Sequence, residues 1–106
     1  MKILLTGFDP FGKDKINPSI ELVKKLNEKI EGTQIFKIEI PTVFKKSGEI
    51  LEENIKKIRP DVILCIGQAG GRSSISVERI AINIDDARIS DNDGKKPIDE
   101  KIRRDG

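Results

Sequence analysis

Three short apolar runs, residues 2–6 (KILLT), 34–40 (QIFKIEI) and 62–66 (VILCI), are separated by two stretches with helical periodicity. This alternation constrains the chain more than any other feature. A β-α-β-α-β order implies parallel strands joined by right-handed helical crossovers. In the first helical stretch Asn17-Pro18 marks the start, with Asn17 as N-cap and Pro18 at the first helical position. Ile20, Val23, Leu26 and Ile30 then fall three or four residues apart, and Gly32 is read as the stop. The second helix is expected over residues 44–58, with Leu51, Ile55 and Ile58 as its apolar stripe. Ser47-Gly48 weakens its first turns, and Pro60 closes it. The middle strand alternates Phe36, Ile38 and Ile40 with Lys37 and Glu39, whereas VILCI is a continuous apolar run of the sort buried on both faces of a parallel sheet.

Beyond residue 66 the pattern changes. Residues 75–84, ISVERIAINI, read as an extended strand, and Asp93-Gly94 between ARIS and KPIDEKI reads as a hairpin turn. The expectation is one α/β domain over residues 1–106 with a hairpin-like tail, since 106 residues support one modest core. Charged and apolar residues each make up 36%, with a net charge of +2 spread along the chain, which describes a soluble globular protein. A nucleic-acid binder would carry a larger, clustered basic excess. No apolar run approaches the roughly 20 residues of a membrane span. Gly7, Asp9 and Pro10 break the N-terminal run before it could form a signal-peptide core. A single cysteine suits a reducing compartment, and the cytoplasm is the expected location. Histidine is absent, so these residues cannot build a Cys-His or Ser-His pair, and imidazole-rich zinc sites are excluded.

Ligands of open α/β sheets bind beyond the carboxyl ends of the strands. Two loops leave such ends: GFDPFG after the first strand and GQAGGR, residues 67–72, after the third. The first places Phe8 and Phe11 in a loop punctuated by glycine and proline, where large apolar side chains are unusual. In the second, Gly67, Gly70 and Gly71 allow close backbone approach and offer amide donors, and Gln68 adds a neutral donor and acceptor. Neither loop carries the dinucleotide fingerprint or the GK[ST] ending of a P-loop. The same spacings also serve tight turns with nothing bound, and both readings stay open. Glu78 stands among isoleucines and valine, a costly place for a carboxylate without a partner. It is either part of a buried ion pair or edge, or an orienting carboxylate for a base. Cys65, flanked by Leu64 and Ile66 with no basic neighbour, reads as core rather than nucleophile.

Taken together, LLTGFDPFG, IPTVF and PDVILCIGQAGGRSSISVERIAINIDDARISDNDG resemble the pyroglutamyl peptidase I (pyrrolidone-carboxylate peptidase) family from residue 1 to about residue 100. The segment GQAGG…ISVERIAIN is similar to that family's glutamate active-site signature. The resemblance implies a cytosolic cysteine peptidase that removes N-terminal pyroglutamate from peptides. It also implies a three-layer α/β/α fold with a mostly parallel twisted sheet, a Cys-His-Glu triad, and no metal or other cofactor. On this chain Glu78 corresponds to the triad glutamate and Phe8 and Phe11 to the aromatic residues that sandwich the lactam ring. Gln68 lies in the loop near the same pocket, and Arg88 matches an arginine near the site.

Family chains are about twice as long, with the nucleophilic cysteine and the histidine in the second half. The sequence is therefore expected to be a truncated form of the fold, inactive alone, with an open strand edge and exposed apolar residues such as Ile82 and Ile84. Expected partners are pyroglutamyl peptides, not nucleic acid or membrane, together with a homo-oligomer or a complementing C-terminal half. The alternative function is a non-catalytic pyroglutamyl-binding module or a structural partner of a separately encoded C-terminal half.

Overall fold

The computed structural model describes residues 1–69 and 74–105. Six elements follow in order: β1 (Lys2–Phe8), α1 (Pro18–Lys25), β2 (Lys29–Ile30), β3 (Thr33–Ile40), α2 (Lys46–Ile58) and β4 (Val62–Cys65). They form one four-stranded sheet in the order β2-β3-β1-β4. β1 pairs in parallel with β3, Ile3 opposite Ile35 and Phe8 opposite Ile40, and with β4, Leu5 opposite Leu64. The chain thus steps from β1 to one side, then crosses over β1 to the other. Two right-handed crossovers in opposite directions put α1 and α2 on opposite faces of the sheet.

The α1 face is the better packed. Leu5, Ile20, Val23 and Ile35 form its buried centre, with Ile3 and Ile66 against it. On the other face Leu4 and Ile40 are buried along with Val43. The α2 stripe covering that side (Ser47, Ile50, Leu51, Asn54, Ile55 and Ile58) is only half-buried.

α1 begins as its sequence requires. Asn17 Oδ1 accepts the Ser19 backbone N–H at 3.0 Å, and Pro18 opens the helix. It ends at Lys25, well before Gly32. Residues 29–30 instead turn back on β3 as an antiparallel pair, Ile30 opposite Thr33, and Gly32 at φ 71° belongs to that tight turn. The Nζ of Lys37 on β3 donates to the carbonyls of Lys24 and Leu26, which the end of the helix leaves without intrahelical partners.

Two further expectations are corrected. VILCI is not buried as a run: Val62, Ile63 and Leu64 are 41–51% exposed and Cys65 is exposed, and Ile66 alone, half-buried, packs against the core. β4 is the outer strand among the described residues, so β1 flanks it on one side only. Residues 75–84 carry no strand, because no ladder of hydrogen bonds joins their backbone to a neighbour among the described residues, and Ile75, Val77, Ile80 and Ile82 face water. The hairpin reading of the tail holds in a looser form. An arm over residues 83–103 is tied by the isolated bridge Asp85–Glu100 and by Ala87 N–H to Pro97 O at 2.9 Å, and it turns through Asp91 and Lys95.

Candidate functional site

The reversal of strand order at β1, with β3, β1 and β4 all parallel, creates a crevice where the loops after β1 and β4 part, the place where open α/β sheets hold ligands. A pocket of about 280 Å³ lies there, lined by Phe8, Phe11, Asn17, Thr42, Gly67 and Gln68. No lining residue is charged. Both phenylalanines are half-buried and Gln68 is exposed. A Cβ on Gly67 would come within 3.8 Å of the Phe8 ring, so the loop after β4 stacks closely against one aromatic wall. The volume is at the low end of the roughly 300–1,000 Å³ of small-molecule sites, which suits a small ligand.

A second concavity of about 450 Å³ continues from the first, sharing Phe8, Phe11 and Thr42. Its further walls are Val43 and Phe44 from the segment entering α2, Ser47 from its first turn, and Asp85 to Ile89 and Asp91 from the arm. Arg88 lies here. The groove therefore has a neutral aromatic end and a charged end, with Phe8 and Phe11 common to both. Burial, followed by repulsion from Glu100, holds the Asp85 carboxyl above the ordinary carboxylate range. Asp91 moves the other way: burial opposes its charge, but the amides of Phe44, Lys95 and Asp93, with the Lys95 ammonium, outweigh that effect and lower it.

Phe8, Phe11 and Gln68 are brought to one pocket, and Arg88 to its continuation. Glu78 lines neither; it is exposed on the extended segment after the second loop. Gly70, Gly71 and Arg72 lie outside the described residues. Cys65 lines neither cavity.

The expected N-cap Asn17 and three residues that sequence reasoning gave no such role, Asp9, Ser19 and Thr42, build the scaffold of the pocket. The Asp9 carboxylate accepts from the Thr42 backbone N–H and hydroxyl, both at 2.7 Å, and the Asp9 N–H donates to Ile40 O at 3.0 Å. Asn17 Nδ2 donates to Asp9 O at 3.0 Å. The Ser19 hydroxyl accepts the Phe8 N–H at 2.8 Å and donates to Asn17 Oδ1 at 2.7 Å. One α1 cap thus fixes the helix, the aromatic residue and the loop together. The Asp-Pro of GFDPFG was the available signal, since Asp before Pro favours a turn closed by its own side chain.

The sequence model of the pyroglutamyl peptidase family matches residues 1–106. Over the whole chain the sequence is 62% identical to a pyrrolidone-carboxylate peptidase of Finegoldia magna and 60% identical to one of Clostridium perfringens, in each case covering 50% of the relative. A crystal structure of Bacillus amyloliquefaciens pyroglutamyl peptidase I superposes with a TM-score of 0.93 at 53% identity over 99% of this chain and 52% of that one. A variant pyrrolidone carboxyl peptidase from the hyperthermophile Pyrococcus furiosus gives 0.95 at 50% identity, covering 100% and 51%. The chain spans about half the length of the relatives it matches.

Proposed function

The chain belongs to the pyroglutamyl peptidase family, and from that premise we propose that the neutral aromatic pocket receives the lactam ring of an N-terminal pyroglutamyl residue. The observation that carries this reading is the lining itself: two phenyl rings, no charge, and polar groups limited to amides and a hydroxyl. A flat uncharged lactam can be buried between apolar faces while Gln68 and nearby backbone groups meet its amide. A free ammonium would lose its hydration there without a counter-charge, which costs several kcal/mol.

Catalysis of the family's kind needs a thiolate that attacks the scissile carbonyl and an imidazole that takes the thiol proton. Glu78 is assigned the third role, orienting that imidazole. The 106 residues contain no histidine, and their single thiol, Cys65, lies on β4 outside the groove. The nucleophile and base must therefore come from residues outside them, and these residues alone do not hydrolyse pyroglutamyl peptides. Arg88, which lines the charged continuation of the pocket, is assigned to meet a polar group of the peptide beyond the ring. The partners in this reading are pyroglutamyl peptides and a polypeptide, such as a C-terminal half, that brings thiol and imidazole and covers β4; further copies of the chain could also cover its apolar surface. The setting is the cytoplasm. No helix among the described residues is long and apolar enough to cross a membrane.

The test compares L-pyroglutamyl amide with L-prolinamide, a ring of the same size bearing an ammonium, by NMR titration of the chain. Selective binding of the lactam, weakened at least tenfold in Phe8→Ala or Phe11→Ala, is expected. Equal response to both ligands overturns the pocket assignment. Turnover of a chromogenic pyroglutamyl amide by the 106 residues alone overturns the inactivity.

A further inference from the structure

Phe8 and Phe11 are held by different parts of the molecule. Phe8 ends β1, and its backbone is fixed by the ladder to Ile40 and by the Ser19 hydroxyl. Phe11 sits beyond the strand and beyond the well-held Asp9, where the bond made within the loop is the turn bond from Asp14 N–H to Phe11 O at 3.2 Å. The gap between the rings is therefore set by whatever holds residues 10–12.

That role falls to the tip of the distant arm. Asn92 Nδ2 donates to Pro10 O at 2.8 Å, and Asn92 Oδ1 accepts the Gly12 N–H at 3.1 Å, so one side chain grips the peptide groups on both sides of Phe11. The same amide nitrogen reaches Asp9 Oδ1 at 3.4 Å, and the Asn92 N–H donates to Thr42 O at 3.1 Å. Asp91 secures the tip. Its Oδ2 accepts from Phe44 N–H at 2.7 Å, and its Oδ1 accepts from the amides of Asp93 and Lys95 at 2.9 and 2.8 Å. The turn that presents Asn92 is thereby anchored on the segment entering α2.

We infer that Asn92 is a positioning residue for ligand recognition, which sets the separation of the two aromatic walls by clamping the Phe11 loop from the far side of the chain. An amide is suited to the task because it donates to Pro10 O and accepts from Gly12 N–H at once; a carboxylate could not donate and would face the Asp9 charge. The functional consequence rests on the pyroglutamyl reading, whereas the clamp itself does not.

The experiment uses the 106-residue chain and its Asn92→Ala variant, with NMR amide exchange, ring-proton contacts between Phe8 and Phe11, and titration with L-pyroglutamyl amide. Removing an exposed two-bond clamp is expected to raise Gly12 amide exchange about tenfold, weaken the Phe8–Phe11 contacts, and lower ligand affinity by about tenfold. Leu5 exchange, which reports on the sheet, is expected to stay unchanged. Unchanged Gly12 exchange and ring contacts overturn the inference, and so does loss of Leu5 protection together with Gly12, which would make Asn92 a support of the whole fold. If the unsubstituted chain fails to bind the lactam, the pyroglutamyl reading fails, and Gly12 and the ring contacts still decide the clamp.

Discussion

Gly7 is the tightest point between sheet and helix, and replacing it with alanine tests the packing that presents Phe8. A Cβ there would lie 2.7 Å from both Cα and N of Ile20 and 2.9 Å from the carbonyl carbon of Ser19. All three are backbone atoms, so no side-chain rotation relieves the clash. To restore contacts of about 3.5–4.0 Å, α1 must retreat from β1 by roughly 1 Å. Overpacking of this kind costs about 1–3 kcal/mol. The retreat also stretches the 2.8 Å bond from Phe8 N–H to the Ser19 hydroxyl, worth about 1 kcal/mol. The expected loss is about 2–4 kcal/mol, a large share of the roughly 5–15 kcal/mol of a typical domain. Urea unfolding followed by circular dichroism reads it. The control is Gly48→Ala in α2, where a Cβ meets nothing within 4 Å. Removing a glycine from that helix should stabilise by about 0.5–1 kcal/mol. The same chemical change thus has opposite signs at two glycines. A Gly7→Ala chain within about 0.5 kcal/mol of the parent, at an unchanged urea slope, would show that α1 does not bear on β1 as described.

The two shifted aspartates of the arm should titrate in opposite directions. Asp91, lowered by the amides it accepts once burial has been outweighed, adds stability that is present above the unfolded carboxylate pKa and lost as pH falls through its folded value. Asp85, raised by burial and then by Glu100, contributes in the reverse sense, with its stabilisation complete below the unfolded pKa and lost as pH rises through the folded one. Side-chain carbon-13 titration should therefore place the Asp85 midpoint above that of Asp91, and coincident midpoints would refute the assignment. Cys65, exposed on β4, should be alkylated to completion by iodoacetamide in the folded chain without loss of pyroglutamyl-amide binding; protection until urea is added would contradict its exposure.

The parallel core of the fold was legible because its signals are local. Asn17-Pro18 and the spacing of Ile20 and Val23 fix the start and inner face of α1, and Pro60 ends α2, whatever the rest of the chain does. The errors occur where a local pattern serves two geometries. Ile30 continues the helical stripe and Gly32 would stop a helix, yet Lys29 and Ile30 pair with Gln34 and Thr33 across the tight turn that holds Gly32. Likewise VILCI has the composition of a doubly covered strand, but composition states what a strand can tolerate and not what lies beside it. ISVERIAINI alternates well enough for a strand, but a strand exists only through its hydrogen bonds to another.

The site divides in the same way. Phe8 and Phe11 stand out because two apolar rings, one ending β1 and one just beyond it, sit in a stretch punctuated by glycine and proline at a strand's carboxyl end, where packing alone gives them no reason to be. Thr42 and Asn92 could not be found, since they meet Asp9 across 33 and 83 residues of sequence and obey no period. Yet they explain a feature that the composition of the loop conceals. The sequence GFDPFG places a carboxylate directly between two aromatic walls, which would make a poor receptor for a neutral ring. In the fold Asp9 lines neither cavity. Its carboxylate is turned toward the Thr42 amide and hydroxyl and the Asn92 amide, so the charge holds the walls in place without facing between them. The neutrality of the pocket is thus a product of long-range pairing, and the residue that threatens it in the sequence secures it in the structure.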